Sequence, residues 1–131
     1  MIEKLRGLLG NSYAPITEFF VAACVVTRDG QEFYGVNVED KSTRAGTCAE
    51  RNAIFAAITA GYKKGDFKEL NILVSMPKIG TPCFVCRQMI SELFDKDSII
   101  RCYASDGKCK EFTVEELCPH PFGEKIEEEI L

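Results

Sequence analysis

Two short stretches, Thr47-Cys48-Ala49-Glu50-Arg51 and Thr81-Pro82-Cys83-Phe84-Val85-Cys86-Arg87, put three thiols and a carboxylate at the start of two runs with helical periodicity. Helix N-termini are electropositive and favour anions, which lowers thiol pKa and makes thiolate ligands easier to form. Cys83 and Cys86, three residues apart in a first helical turn, are neighbours and can share one metal ion. Cys48 is the best third ligand because it also begins a helix. A catalytic zinc site takes three protein ligands and leaves the fourth position to water. Glu50 is then placed to reach that water without ligating the metal, and Arg51 and the two helix ends are placed to offset the negative charge of three thiolates. A glutamate there can accept a proton from water, hand it to a substrate nitrogen and carry a second proton to a departing amine. That chemistry is hydrolytic deamination, in which water adds to an electron-poor, amidine-like carbon and ammonia leaves.

Other readings of the same residues stay open at this point. Thr47-Cys48-Ala49-Glu50 also fits a capping box in which Glu50 merely bonds the N-cap amide. Cys83 and Cys86 alone fit a redox pair, although Cys48 speaks against it. A structural zinc needs a fourth ligand, with His120, Cys102, Cys109 or Cys118 as candidates. Cys24 and Cys102 lie in apolar runs and read as core thiols, as does Cys118; Cys109 lies near a turn and reads as exposed, and His120 as a loop residue.

The elements that must position these side chains follow from periodicity and turn chemistry. Met1–Leu9 has apolar residues at helical spacing and stops at Gly10-Asn11. Residues 11–17 form a loop, and Phe19–Thr27 is a buried strand. Arg28-Asp29-Gly30 turns the chain into a returning strand from Glu32 to Val38. Asn37 and Glu39 lie two positions apart at its end, on one face if the strand persists, either for binding or simply facing water. A central, alanine-rich helix runs from Cys48 to Ala60 with Gly61 at its C-terminal stop. A charged linker from Lys63 to Glu69 leads to a strand over Leu70–Met76. A second helix opens at Pro82, suited to the first helical position, and carries Val85, Met89, Ile90, Leu93 and Phe94 at three- and four-residue spacing. Ser98–Ala104 and Cys109–Phe112 are strands, Thr113–Glu116 is a capping box, and the acidic tail from Glu124 reads as a terminal helix. The expectation is an α/β fold, one domain over residues 1–131, with a mixed five-stranded sheet flanked by helices.

Bulk properties narrow the classes. A chain of 131 residues with 46% hydrophobic and 27% charged residues is long enough for one core and is neither disordered nor collagen-like. A net charge of -4 and a pI near 5.1, with no cluster of Lys and Arg, argue against nucleic acid as a partner and for a small molecule. The apolar run Phe19–Val26 is too short to span a bilayer, so no membrane partner is expected, and Met1–Gly10 lacks the pattern of a secretory signal. Seven cysteines, an odd number that includes a Cys-x-x-Cys pair, suggest a reducing compartment, the cytoplasm.

Taken together, the motifs resemble the small, zinc-dependent cytidine deaminases over nearly the whole length. The resemblance is carried by Tyr13-Ala14-Pro15 with Phe19 and Val21, Gly35-x-Asn37-Val38-Glu39, Cys48-Ala49-Glu50-Arg51, Pro82-Cys83-x-x-Cys86-Arg87-Gln88, and Leu117-x-Pro119 with Phe122. It implies Cys48, Cys83 and Cys86 as ligands of Zn2+, Glu50 as the proton shuttle and Arg51 as a donor to the ligand thiolates. By the same resemblance Asn37 and Glu39 contact ribose hydroxyls, Phe19 lies against the pyrimidine, and Ala49 and Phe122 belong to the substrate site. Similar proteins are homotetramers whose sites neighbouring subunits complete. The implied reaction converts cytidine or deoxycytidine to the uridine form in pyrimidine salvage. The alternatives are deamination of another cytosine-bearing compound such as blasticidin S, or a zinc or redox module without turnover. The chain departs from the family pattern at Phe84-Val85 in place of Gly-Ala, at Ile16-Thr17 in place of Tyr-Ser, at Ala22 in place of Gly, and in the loop Asp40–Arg44, all of which bear on pocket shape.

Overall fold

Strand β1 (Val21–Thr27) is almost entirely buried because both of its faces are covered: Ala23 and Val25 pack to one side, Ala22 and Cys24 to the other. This requires apolar, β-branched residues at successive positions rather than at alternate ones. In this computed structural model, which describes residues 1–123, a five-stranded sheet is built around that strand in the order β2-β1-β3-β4-β5. Gly30, with φ of 88°, makes the turn into β2 (Glu32–Val36), which pairs antiparallel with β1. Strand β3 (Phe67–Val74) pairs antiparallel with the other edge of β1 and parallel with β4 (Phe94–Tyr103), and β5 (Cys109–Thr113) returns antiparallel beside β4.

Because β2 and β3 both run opposite to β1, they run the same way as each other. Helix α2 (Ala49–Thr59) crosses from β2 to β3, and helix α3 (Phe84–Leu93) crosses from β3 to β4. Both helices pack on one face, where Ala49, Ala53, Ile54, Ala57, Cys86 and Ile90 meet Val25, Leu70, Ile72 and Ile100. Each helix begins beyond the carboxyl end of a strand of the same direction, so the two N-termini converge at one edge of the sheet. In α/β proteins that crevice is where ligands bind. Helix α1 (Ile2–Leu9) covers the opposite face, Leu5 packing with Ala22, Cys24 and Leu73. The rest of that face is polar: Arg101 bonds Glu69, Asn71 and Glu111. A short helix α4 (Val114–Leu117) opens with the expected capping box of Thr113 and Glu116.

The differences from the sequence reading fall at element ends. Strand β3 starts at Phe67, inside the stretch read as a charged linker. Phe67 is fully buried and stacks on Phe94 with ring centroids 5.0 Å apart, a burial that contributes about 2 kcal/mol. Glu69 then lies on the polar face with Arg101. Phe94, whose spacing suggests the end of a helix, has extended dihedrals and opens β4. Strand β2 stops at Val36 because Asn37 uses its side chain on the neighbouring backbone, and Val38 forms only single bridges to Tyr13 and Thr47. Pro82 precedes the N-cap, which is Cys83, rather than occupying the first helical position. Helix α2 ends as expected: Gly61, with φ of 104°, lets Tyr62 N donate to Ala57 O and Gly61 N to Ile58 O, a Schellman stop. The tail expected as a helix from Glu124 lies outside the described residues.

Candidate metal centre and active site

Cys48 and Cys83 are the N-caps of α2 and α3, and Cys86 is the third helical residue of α3. The Cys48 side chain caps no backbone amide and so keeps its lone pairs, while Cys83 Sγ accepts from Cys86 N at 3.5 Å. The sulfurs of Cys48 and Cys83 are 3.7 Å apart, those of Cys83 and Cys86 are 3.5 Å apart, and all three lie within 4.8 Å of one another. Sulfurs bound at about 2.3 Å to a tetrahedral zinc sit about 3.8 Å from each other. The donor set therefore fits one Zn2+ with little movement. Among the described residues these three form the one such cluster, so Cys102, Cys109, Cys118 and His120 bring no fourth ligand to it. That geometry favours a site with an open position over a closed structural one.

The electrostatics suit a thiolate at Cys48. Hydrogen bonding from Cys86, with help from Arg51 and Cys83, brings the Cys48 thiol down to about 5 against its burial. That same bond to Cys48, and then burial, push Cys86 upward. Arg51 Nη2 donates to Cys48 Sγ at 3.6 Å, and Arg51 Nε is buried with no partner among the described residues. A half-buried cation with an unspent donor is what a cluster of negative sulfurs requires nearby.

Glu50 is at the second position of α2, 5% exposed, so it is not the third residue of a box capped by Thr47; the capping-box reading is overturned because Cys48 is the N-cap. Burial, followed by the charge of Cys48, raises the Glu50 carboxyl to about 7, with a bond from Cys86 opposing. A carboxyl poised there can both take and give a proton near neutrality.

Cys48, Cys83, Ala49, Glu50 and Arg51 line one end of a cleft of about 490 Å³, within the usual range for small-molecule sites. Phe19, Asn37 and Glu39 also line it, as do Ile16 and Thr17. Asn37 Oδ1 accepts from Val21 N at 2.9 Å and Nδ2 donates to Phe19 O at 2.7 Å, so Asn37 also ties down the chain that carries Phe19. Glu39 accepts from Ile16 N, Thr17 N and Thr17 Oγ1.

Phe122 does not line this cleft; it is 81% exposed, and its carbonyl accepts from Gln88 Nε2. Phe84 and Val85 leave the cleft's own wall unchanged, since both are exposed, with the Arg87 guanidinium 4.5 Å from the Phe84 ring centroid. Cys24 and Cys102 are fully buried as expected, Cys118 is half-buried, and Cys109 and His120 are exposed.

Three supporting positions carry no chemical signal in the sequence. A Cβ on Gly35 would lie 2.5 Å from Ala49 O and from Ala53 N, so α2 sits directly on the β2 backbone there. A Cβ on Gly46 would lie 2.1 Å from Val38 O, where Val38 bridges Thr47. Asp40 gathers the loop before α2 by accepting from the backbone N–H groups of Ser42, Ala45 and Gly46. Gly35 and Asp40 belong to stretches that the sequence singles out, but their roles depend on backbone approach that spacing does not reveal.

Residues 1–102 match the family model described as the cytidine and deoxycytidylate deaminase zinc-binding region. The chain is 32% identical over 122 residues to a cytidine deaminase of Mycoplasma genitalium, covering 93% of this chain and 92% of that protein. It is also 32% identical to a cytidine deaminase of Halalkalibacterium halodurans over 86% of this chain and 83% of that one. A solved cytidine deaminase from Burkholderia pseudomallei superposes with a TM-score of 0.87 at 34% identity, covering 92% of this chain and 95% of that one.

Proposed function

The chain belongs to the cytidine and deoxycytidylate deaminase family, and we propose that it is a zinc-dependent hydrolase converting cytidine and deoxycytidine to uridine and deoxyuridine with release of ammonia. The observation that carries this reading is the joining of three clustered sulfurs to one buried carboxylate at the end of a cleft rimmed by polar groups.

Cys48, Cys83 and Cys86 hold the metal, which when bound supplies the Lewis acidity that makes water nucleophilic near neutral pH. Glu50 takes a proton from water as the water oxygen bonds to C4 of the pyrimidine, and passes that proton to ring nitrogen N3. It then takes the remaining proton from the same oxygen and delivers it to the amino nitrogen. The C4–N bond breaks, ammonia leaves, and a carbonyl remains at C4. Burial serves both halves of the cycle: a carboxyl raised to about 7 takes up a proton more readily than an ordinary surface glutamate, and near neutral pH it can still give that proton up. Arg51 steadies the thiolates, Phe19 and Ala49 border the base, and Asn37 and Glu39 take the sugar hydroxyls.

The lining favours a nucleoside over its phosphate. Glu39, Asp40 and Glu50 face the cleft, and its one lining cation among the described residues, Arg51, is engaged with sulfur. A phosphate dianion would meet carboxylates there.

The family resemblance also proposes a homotetramer, cytoplasmic, working in pyrimidine salvage. Exposed Phe55, Ile58, Phe84, Val85 and Phe122 support an apolar contact surface beside the site, and all seven cysteines are free, as a reducing compartment requires. Phe122 then reaches a neighbouring subunit's cleft rather than its own.

The test is loss of ultraviolet absorbance from cytidine, deoxycytidine, deoxycytidylate and blasticidin S with the zinc-loaded protein. Turnover of the two nucleosides with little of the nucleotide is the expected result. Turnover of blasticidin S alone would move the substrate to another cytosine-bearing compound, and zinc binding without any turnover would leave a zinc module.

A further inference from the structure

We propose that Thr17 is a positioning residue for sugar recognition, its side-chain hydroxyl fixing the Glu39 carboxylate so that one acceptor position is left for a sugar hydroxyl. The inference rests on the reading of Glu39 as a sugar contact. Glu39 Oε1 accepts from Ile16 N at 3.0 Å and from Thr17 N at 3.2 Å, and Oε2 accepts from Thr17 Oγ1 at 2.6 Å. An ionised carboxylate offers about four lone-pair positions, so three donors from the chain leave about one for a ligand.

The direction of the Thr17 bond is fixed by its surroundings. Phe19 N, which can only donate, gives its hydrogen to Thr17 Oγ1 at 3.1 Å. The single hydroxyl hydrogen of Thr17 is therefore free to point at Glu39, and a short bond to a charged acceptor is among the stronger kinds. The chain turns at Glu18, with φ of 57°, which brings the Phe19 amide back to the Thr17 side chain. Asn37 holds Phe19 O and Val21 N from the other side. Thr17 thus joins the carboxylate on the sugar side of the cleft to the backbone of the aromatic on the base side. The same bond is the first cause holding the Glu39 carboxyl below its ordinary value, so the group stays an acceptor.

Thr17→Val keeps the shape and the backbone N–H but removes the hydroxyl donor; Thr17→Ala, read alongside it, removes the same donor without added bulk; Thr17→Ser restores it. Steady-state constants are measured for cytidine and 2′,3′-dideoxycytidine, the latter as a competitive inhibitor where it is not turned over, with Glu39→Gln as the reference. Both donor-less variants raise KM for cytidine roughly tenfold, as expected for a lost bond to a charged group, with kcat within about twofold and rescue by serine. For the dideoxynucleoside, which lacks the 2′- and 3′-hydroxyls that Glu39 would hold, the penalty shrinks to within about twofold. An equal penalty on both ligands, failure of serine to rescue, or no penalty would overturn the inference. No effect of Glu39→Gln on cytidine would overturn the sugar-contact reading and the inference with it, while no turnover by the unaltered protein would overturn the reaction itself.

Discussion

Arg51 is the cation held against the sulfur cluster. It donates to Cys48 through Nη2 while its buried Nε finds no partner among the described residues. Removing it leaves three sulfurs without their nearest cation. Arg51→Gln is accordingly expected to lower zinc affinity about 10- to 100-fold, as loss of a supporting partner commonly does, with the chain still folded. Competition with a chelating indicator measures this; unchanged affinity would assign charge compensation to the helix ends alone. At this scale the site was largely legible. Of the seven cysteines, three stand in two short motifs at helix starts with a glutamate beside the first, and that pattern singles out one site. Less legible were Asn37 and Glu39, whose side chains bond backbone groups of residues 16–21 as well as facing the cleft. Those partners lie far away in sequence, and no local spacing announces them.

Helices α2 and α3 set the distances between the ligands, and α2 is set by what it rests on. Gly35 in β2 touches the backbone of Ala49 and Ala53, one residue to one side of Glu50 and three to the other. Gly35→Ala must push the helix off the strand, and is expected to cost about 1–3 kcal/mol as an overpacked contact. It should also weaken zinc binding, because Cys48 moves with α2 while Cys83 and Cys86 do not. Thermal melting with and without zinc checks both; a variant with unchanged stability would mean that the contact relaxes freely. Most elements could be read from periodicity, but their ends could not. Phe67 and Phe94 begin strands because they stack on each other across a parallel pair, and that long-range contact outweighs the charged and helical patterns around them.

The whole molecule is one sheet with unequal faces, apolar under α2 and α3 and partly polar beyond α1. Cys24 and Cys102 are buried in these two layers, and burial pushes both thiols from 9.0 up to about 12. The sign of the effect follows from proton binding: above pH 9 the unfolded chain releases these protons while the folded chain keeps them. Both contributions are intact below the unfolded value and are lost as pH rises toward the folded one. Melting temperature should therefore fall through that window, and fall less steeply in a Cys24→Ala, Cys102→Ala variant. Equal slopes would show that these thiols do not govern alkaline stability. Two helix crossovers and two hairpins are visible in the sequence, which is why the convergence of the helix N-termini was foreseeable, whereas the placing of β1 between β2 and β3 shows only in the fold.

The central claim is that three cysteines hold a zinc at which Glu50 moves protons. The most direct measurement is cytidine turnover together with zinc content, on the unaltered protein and on Glu50→Gln. The account predicts about one zinc per chain in both, and turnover lost by about 10²- to 10⁴-fold or more in the variant alone. Full zinc in both proteins with turnover unchanged in Glu50→Gln would contradict it.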